Sequence, residues 1–512
     1  MSTLSAYTQG VTWPPQRSAG VLVHLTSIPG SEGLGDLGAG AIRFLDWLAE
    51  AKLKLWQLLP LNPIGAGASP YSSPSAFAAN PLLISLNELA AEGLLDQEAL
   101  VTEICEGETG VTFSHEVPRR MKLLAEATAR FVSLGHHHHE AFQAFLNREK
   151  DWLPDAALFA SLSSRHQSDW SEWPVELRDR SPDAMRAATE ELAEEILHYQ
   201  VQQYFFDQQW SKLRAAAIAR GITLIGDLPI YVSYESADVW ANPSLFELDE
   251  AKRPSAVAGV PPDAFSETGQ RWGNPLYNWE ALAAQDYQWW AARIRRALSL
   301  TPALRVDHFR AFASYWSIPR DAPDARRGVW RKGPGLAFFK SLEAQLGSLP
   351  LIAEDLGLID DEVRNLRRDS GLPGMKVVQF AFSGEPDHEY LPHRHEPLSI
   401  AYPGTHDNDT TIGWWSTLGS WEREWAMRYL ELSPEMDAAQ SAWRIIERTL
   451  EAGSSWAIVA LQDYLSLDSR ARMNTPGKAE GNWSWRARDE SLSSDLAARV
   501  AALVTRSHRG ES

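Results

Sequence analysis

The sequence predicts an α/β protein built on a (β/α)8 TIM barrel, with large and mainly helical insertions on the C-terminal face of the barrel. Eight short runs of apolar and β-branched residues, many bounded by Gly, Pro or Asn, are typical of strands buried on both faces. Amphipathic stretches such as Ala39–Ala51 and Gln200–Arg220 lie between them, and this alternation predicts a parallel barrel. The predicted strands are Gly20–Leu25, Leu53–Pro60, Thr223–Leu228, Ala303–Val306, Pro350–Ala353, Met375–Ala381, Ser399–Tyr402 and Trp456–Leu461.

Two long gaps between the predicted strands indicate insertions into a single catalytic domain that covers residues 1–512. We interpret residues 85–210 as a helical insertion subdomain, and residues 231–290, rich in Pro, Gly, Asn and aromatic residues, as an active-site loop insertion. Such insertions extend from the C-terminal face of a barrel, where active sites lie. The helices predicted in the first insertion are Leu94–Ile104, Arg119–Val132, His139–Phe145 and Ala187–Tyr204.

The charge of the chain restricts its partners. There are 48 Lys and Arg residues against 67 Asp and Glu residues, which gives a formal net charge of −19, and the pI is near 5.2. An acidic chain is repelled by nucleic acid and by anionic membranes, so we expect neither as a partner. A neutral substrate is favoured instead. The 22 Trp residues offer indole rings for sugar stacking, although many must fill the core.

The single cysteine, Cys105, excludes a disulfide within the chain and a metal site built on cysteines. Residues 1–9 lack the basic and apolar segments of a signal peptide. No apolar run approaches the roughly 18 residues of a membrane span. These features favour a cytoplasmic location. We interpret the run His136–His139 as a solvated loop or helix start rather than as a metal site.

Three acidic residues follow strand-like runs and are the strongest indication of chemistry. They are Asp307, Glu354 and Asp407, and each comes just after a predicted barrel strand. A buried carboxylate must be paired or solvated in a cleft. One such residue is most simply a surface ion-pair partner at the start of a loop. Three of them on three strands favour a shared cleft for acid/base and nucleophilic chemistry on a sugar.

The residue types suit a retaining glycosyl transfer, in which two carboxyl groups about 5 Å apart act as nucleophile and as acid/base. Asp307 suits the nucleophile, because Arg305 lies two residues earlier on the same strand face and would hold it ionised. Glu354 suits the acid/base. Its neighbour Asp355 points to the opposite strand face, so only one of the pair can enter the cleft. Asp407 lies in a polar cluster that can bind sugar hydroxyls.

Several segments in the same order resemble the amylomaltases, the 4-α-glucanotransferases or disproportionating enzymes of the α-amylase superfamily. The resemblance covers nearly the whole chain. It is carried by His24–Gly30, Gly33–Asp36, Trp56–Leu61, Ser69–Ser72, Ser75–Pro81, Gly226–Val232, Gly259–Asp263, Gly269–Pro275, Arg305–Arg310, Ala353–Gly357, Thr405–Asn408, Arg472–Gly477 and Gly481–Arg486.

The resemblance implies a role for each matching position. Asp307 would be the nucleophile, Glu354 the acid/base, and Asp407 would bind the hydroxyls of the distorted sugar. Arg305 would support the nucleophile. The reaction would transfer α-1,4-glucan segments between malto-oligosaccharides by double displacement, and it needs no metal or organic cofactor. The other residues expected to bind substrate are Tyr71, Asp227, Trp272, Asn274 and His406.

Two positions depart from the family pattern. Ala264 stands where many members carry an aromatic residue in a loop expected to cover the acceptor, so its loss would affect acceptor preference. Ala311 stands where Gly usually follows the second Arg of the nucleophile motif. A methyl group is tolerated at that position unless the backbone needs a positive φ.

Two other functions remain compatible with the residues alone. A plain α-1,4-glucan hydrolase would use the same acids with water as the acceptor. A catalytically silent glucan-binding protein would not need all three acids, whereas this chain keeps Asp307, Glu354 and Asp407. The family motifs favour transfer over both alternatives.

Overall fold

The computed structural model describes residues 13, 15–30, 33–100, 110–262, 266–478 and 480–510. The strands of this part of the chain form two sheets, a closed barrel and a four-stranded antiparallel sheet. In chain order the strands are β1 Ser18–Leu22, β2 Leu55–Gln57, β3 Thr223–Leu228, β4 Ala256–Val260, β5 Gln270–Pro275, β6 Ala303–Val306, β7 Ser314–Pro319, β8 Val329–Lys332, β9 Leu351–Ala353, β10 Gly374–Val377, β11 Ser399–Tyr402 and β12 Trp456–Ala460.

The predicted (β/α)8 barrel is confirmed. Its strands pair in parallel in the order β1, β12, β11, β10, β9, β6, β3, β2, and all eight predicted segments contribute one strand each. These strands carry continuous apolar runs because helices cover their outer faces and side chains fill the interior. β1 must also approach β2 closely, since a Cβ atom on Gly20 would lie 2.6 Å from the carbonyl oxygen of Leu55.

The barrel closes where its first strand meets its last. Ser18 pairs with Trp456, and the register continues to Leu22 and Ala460. Arg509, near the other end of the chain, is 1% exposed and donates hydrogen bonds to carbonyl groups beside this seam. The guanidinium thus satisfies carbonyl groups that burial would otherwise leave unpaired.

Helices lie between the strands and make up most of the first insertion. They are α1 Ala39–Glu50, α2 Leu86–Ala91, α3 Phe113–Ser133, α4 Glu140–Arg148, α5 Leu153–His166, α6 Val175–Arg178, α7 Pro182–Glu191, α8 Ala193–Ala219, α9 Ala237–Ala241, α10 Trp279–Ala284, α11 Gln288–Leu300, α12 Leu336–Leu346, α13 Asp361–Asp369, α14 Thr411–Thr417, α15 Ser420–Leu430, α16 Ala438–Glu451, α17 Leu461–Tyr464 and α18 Ser494–Arg506.

Two helix predictions were wrong in detail. The stretch predicted as Leu94–Ile104 contains only a short 3-10 turn, Gln97–Leu100, within its described residues. Gly93, at φ 77°, ends the preceding helix, and this left-handed conformation is one that glycine adopts readily. The stretch predicted as the single helix Ala187–Tyr204 is two helices, α7 and α8, which are separated at Leu192.

The second insertion contains regular structure that the sequence did not indicate. Strands β4 and β5 lie within residues 231–290 and pair with β7 and β8 in the antiparallel order β5, β4, β7, β8. β8 is exposed along its whole length, so it lacks the apolar run by which the barrel strands were found. The division into a barrel, a helical subdomain at 85–210 and an active-site insertion at 231–290 stays a proposal.

Three other sequence expectations can be compared with the described residues. His136–His138 forms a 3-10 turn before α4, and none of its residues is buried. No group of three or more His, Cys, Asp or Glu residues in the described ranges is arranged to hold a metal ion. Among the helices of these ranges, none is both long enough and apolar enough to cross a membrane. Cys105 lies outside the described residues.

Candidate active site

A cleft of about 590 Å³ opens at the C-terminal ends of the barrel strands. Parallel strands all end at the same rim, so residues that follow different strands come together there. Eight of the nine predicted site residues line this cleft. They are Tyr71, Trp272, Asn274, Arg305, Asp307, Glu354, His406 and Asp407.

Asp307 directly follows β6, and its side chain is 28% exposed in the cleft. Its backbone N–H donates to the carbonyl of Leu228 at the end of β3. The Nη2 atom of Arg305 lies 2.8 Å from Oδ1 of Asp307. Because the guanidinium is itself only 3% exposed, the ion pair is poorly screened and fixes the orientation of the carboxylate.

Asp227 differs from the prediction that it lines the groove, because its side chain is completely buried. Nη1 of Arg305 donates to both of its carboxylate oxygens, at 2.9 and 2.8 Å, and the Tyr71 hydroxyl donates to Oδ2 at 2.6 Å. Burial raises the pKa of Asp227, against the opposing effect of Arg305. Asp227 therefore holds Arg305 and Tyr71 in place from behind the cleft.

Glu354 directly follows β9 and lines the same cleft as Asp307. Its Oε2 accepts a 2.7 Å hydrogen bond from the backbone N–H of His308, and its Oε1 accepts one of 3.2 Å from the N–H of Leu356. Burial and the negative charge of Asp307 raise the pKa of Glu354 to about 8, although Arg305 acts in the opposite direction. Burial therefore favours the protonated form of this carboxyl group.

Asp355, next to Glu354 in sequence, points away from the cleft as predicted. Its Oδ1 accepts a 2.7 Å hydrogen bond from the N–H of Met375, and its Oδ2 lies 3.1 Å from Nε of Arg367. This carboxylate thus joins β9 to β10 and α13. Of the two adjacent acids, only Glu354 is available to a substrate.

Asp407 lies in the loop after β11, and its side chain is 40% exposed. Asn474 donates from Nδ2 to its Oδ1 at 2.6 Å, while Nε2 of His406 lies 3.5 Å from its Oδ2. Arg472 donates to its backbone carbonyl at 2.5 Å. The carboxylate is therefore fixed in direction yet remains open to the cleft.

Tyr71 links the buried carboxylate of Asp227 to the imidazole of His406. Its hydroxyl lies 2.9 Å from Nε2 of His406, and the two rings stack with centroids 5.5 Å apart. The single hydroxyl proton is donated to the carboxylate of Asp227, so the ring nitrogen of His406 must be the donor to Tyr71. One chain of hydrogen bonds thus runs from Arg305 through Asp227 and Tyr71 to His406.

Trp272 and Asn274 come from β5 of the antiparallel sheet, which forms one wall of the cleft. Trp272 is 38% exposed, and its ring meets that of His308 edge to face, at 4.9 Å. Asn274 donates from Nδ2 to the carbonyl of Val232 at 2.9 Å. An exposed indole held against a second ring can offer a flat apolar surface to a sugar.

Comparison with known proteins decides the family. A family profile described as 4-alpha-glucanotransferase matches residues 23–492. The 4-alpha-glucanotransferase of Thermus thermophilus is 43% identical over 96% of this chain and 99% of its own length. The chain belongs to the 4-alpha-glucanotransferase family. The chloroplastic/amyloplastic 4-alpha-glucanotransferase of Solanum tuberosum is 41% identical over 95% of this chain and 85% of its own length.

Solved structures agree with this 4-alpha-glucanotransferase assignment. The amylomaltase from Streptococcus agalactiae, determined in complex with acarbose, has a TM-score of 0.92 and is 36% identical. The match covers 97% of this chain and all of that one. The amylomaltase from Corynebacterium glutamicum, at 20% identity and a TM-score of 0.77, shares the fold over 98% of this chain and 76% of its own. The predicted family and enzyme class are confirmed.

Among the residues that line the cleft of this 4-alpha-glucanotransferase family member and were not singled out from the sequence, three are notable for their contacts with predicted site residues. They are His308, Asn474 and Trp483. His308 directly follows Asp307, which was a signal for its position although not for its backbone contact. Asn474 and Trp483 lie in the C-terminal segments that carry the family resemblance, and the contact of Asn474 with Asp407 gives it a place in the site.

The two departures from the family pattern have different outcomes. Ala311 is buried in a short 3-10 turn, and the positive φ of this motif belongs to His308, at 53°. The methyl group of Ala311 is therefore compatible with the backbone, as expected. Ala264 lies outside the described residues.

Proposed function

We propose that this chain transfers segments of α-1,4-glucan between malto-oligosaccharides, with retention of configuration at the anomeric carbon. One observation carries the assignment of roles. Glu354 has a pKa of about 8, while Asp307 shares the buried guanidinium of Arg305. A carboxyl group whose pKa is raised suits the acid, and a carboxylate oriented by a buried guanidinium suits the nucleophile.

In the first step, a carboxylate oxygen of Asp307 attacks the anomeric carbon of the donor glucan. Glu354 gives its proton to the glycosidic oxygen, and the departing segment leaves with a free 4-hydroxyl group. The donor segment stays bound to Asp307 as a β-glycosyl ester. Arg305 keeps the attacking carboxylate oriented until the bond forms.

In the second step, Glu354 acts as a base because it has lost its proton. It accepts the proton of a 4-hydroxyl group on a second glucan, whose oxygen attacks the anomeric carbon and releases Asp307. A new α-1,4 bond results, and both acids return to their initial states. Transfer exceeds hydrolysis when the acceptor excludes water from the cleft.

The other residues that line the cleft bind and orient the sugars in this proposal. Asp407, fixed by Asn474 and His406, would accept hydrogen bonds from hydroxyl groups of the distorted sugar as charge develops at the anomeric carbon. Trp272 would stack on a sugar ring, and Asn274 and Tyr71 would border the groove. Asp227 is reassigned as a positioning residue, since its oxygens are already occupied by Arg305 and Tyr71.

Incubation with maltotriose tests the proposal. We expect glucose together with maltopentaose and longer chains, while the total of reducing ends stays nearly constant. A steady rise in reducing ends without longer products would identify a hydrolase. Bound but unaltered maltotriose would identify a silent glucan-binding protein. Chromatography of the products together with a reducing-end assay distinguishes the three outcomes.

A cytoplasmic location belongs to the same proposal. It rests on the single cysteine, because proteins of oxidising compartments commonly carry paired cysteines. Cell fractionation with an antibody against the chain would test it.

A further inference from the structure

A second large groove lies on the far side of the segment that carries Tyr71. It encloses about 610 Å³, as much as the catalytic cleft, and its walls come from α5, α8, α9 and α11. Ser72 lines the cleft and Ser75 lines the groove. Three residues of extended chain span at most about 11 Å, so a thin wall separates the two spaces.

Three aromatic side chains form part of the groove wall. Phe77 and Trp152 lie nearly parallel, with ring centroids 6.4 Å apart. Trp289 meets Phe77 edge to face at 6.0 Å. Both indole rings are only partly buried. Arg296 lies over Trp152 and Arg293 over Trp289, 5.1 and 5.6 Å from the ring centroids. The remaining exposed part of each indole can contact the apolar face of a sugar ring.

Several polar groups of the groove are solvent-accessible and available to a ligand. Asp151, Arg295, the indole N–H of Trp289 and the Oδ1 atom of Asn242 line the groove and have no hydrogen-bond partner in the part of the chain that the structure describes. Other groove residues are paired: Arg148 lies 2.7 Å from Asp207. The unpaired groups include donors and acceptors, which hydroxyl groups can satisfy in either direction.

The charge of the groove excludes a strongly charged ligand. Four arginines and five carboxylates line it, so its formal charge is 4 − 5 = −1. The carboxylates would repel a polyphosphate or another polyanion, and the guanidinium groups would repel a polycation. A neutral molecule that has many hydroxyl groups is repelled by neither set of charges.

We propose that this groove is a second binding site for an α-glucan chain, distinct from the catalytic cleft. The choice of α-glucan over other neutral sugars rests on the proposed function. A long glucan held in the groove keeps its remaining length near the cleft, which raises the local concentration of donor and acceptor ends. The apparent affinity for short oligosaccharides is not raised, because one short molecule cannot occupy both sites at once.

Calorimetry with maltoheptaose tests the site directly. The parent protein carries Asp307→Ala, which prevents turnover during the titration. The groove variant adds Trp289→Phe and Arg295→Ala, since phenylalanine keeps an aromatic ring against Phe77 but removes the N–H group. The matched control adds Trp421→Phe and Arg326→Ala. Trp421 is 57% exposed, and neither residue lines the groove.

We expect two binding events in the parent and in the control, and a single event in the groove variant. One event in the parent, or two in the groove variant, would overturn the proposal. Circular dichroism establishes that each variant is folded.

Kinetics with the active enzyme gives an independent measurement. In the groove variant we expect the KM for long amylose to rise about tenfold, while the KM for maltotriose changes less than twofold. Equal changes for both substrates, or no change for amylose, would contradict the proposal. Failure of the proposed function would show differently, as an absence of transfer products from maltotriose in the unaltered enzyme.

Discussion

The backbone N–H of His308 donates a 2.7 Å hydrogen bond to Oε2 of Glu354. His308 directly follows Asp307 and has a φ of 53°, a left-handed conformation that costs residues other than glycine about 1 kcal/mol or more. The peptide bond after the proposed nucleophile therefore orients the proposed acid. The positions of the two carboxyl groups are linked through this one unit of backbone.

Substitution of His308 should separate the role of this backbone from that of the imidazole ring. We expect His308→Gly to keep the left-handed conformation, and with it the hydrogen bond to Glu354. His308→Ala should be about 1 kcal/mol less stable than His308→Gly, and its kcat should be lower. Thermal unfolding and maltotriose kinetics measure both effects. Both variants lose the contact with Trp272, so a higher kcat in the alanine variant would contradict this prediction.

The two proposed catalytic acids should be indispensable. Asp307→Ala and Glu354→Gln should each reduce turnover by at least ~10⁴-fold, about 5.5 kcal/mol of barrier, while the fold stays intact. Glu343→Gln, an exposed position on α12, is the control and should leave turnover unchanged. Near-normal activity of Asp307→Ala, in a sample whose circular dichroism matches the unaltered enzyme, would falsify the assignment.

The pH dependence of kcat/KM should report the ionisation of Glu354. Its pKa is raised to about 8, so the acid form that protonates the leaving oxygen is present below this pH and is lost above it. We expect kcat/KM to fall roughly tenfold for each pH unit above about 8. Initial rates on maltotriose between pH 6 and 10 test this, with circular dichroism as a check of folding. A rate that stays constant to pH 10 would exclude Glu354 as the acid.

The hydroxyl group of Tyr71 should matter for activity as well as for stability. Tyr71→Phe leaves Oδ2 of Asp227 and Nε2 of His406 without this partner, so we expect a loss of about 1–3 kcal/mol in the free energy of unfolding. We also expect a fall of roughly tenfold or more in kcat/KM, because the hydrogen-bonded link between Asp227 and His406 is broken. Denaturant unfolding and steady-state kinetics are the measurements.

Tyr464→Phe is the matched control for Tyr71→Phe. Tyr464 is also buried, and its hydroxyl donates to the carbonyl of Gly20 outside the catalytic cleft. Loss of the Tyr464 hydroxyl should lower the free energy of unfolding without a comparable fall in kcat/KM. If both variants lose the same activity, Tyr71 has only a structural role.

The sequence was informative where burial imposes a pattern. Strands such as β12 are buried on both faces and carry an unbroken apolar run, so each barrel strand could be predicted within a few residues. β5 and β8 lie at the surface, and their polar segments carry no such run. Their pairing with β4 and β7 depends on contacts between distant segments, which periodicity cannot indicate.

The site also has features that the local sequence predicts and features that depend on contacts between distant segments. Asp307, Glu354 and Asp407 could be placed in one cleft because each follows a barrel strand. The burial of Asp227 could not be predicted, since it depends on the register that sets Asp227 opposite Arg305 in strands β3 and β6. A residue pair so far apart in sequence is fixed by the closed sheet as a whole rather than by local preference.

The seam between β1 and β12 has a consequence for the synthesis of the protein. Residues 18–22 are synthesised long before their partners at residues 456–460, because more than 400 residues of chain lie between them. A nascent chain therefore exposes one unpaired edge of β1 until β12 has been made, and exposed edges invite pairing with other chains. The barrel can close only after that interval of synthesis.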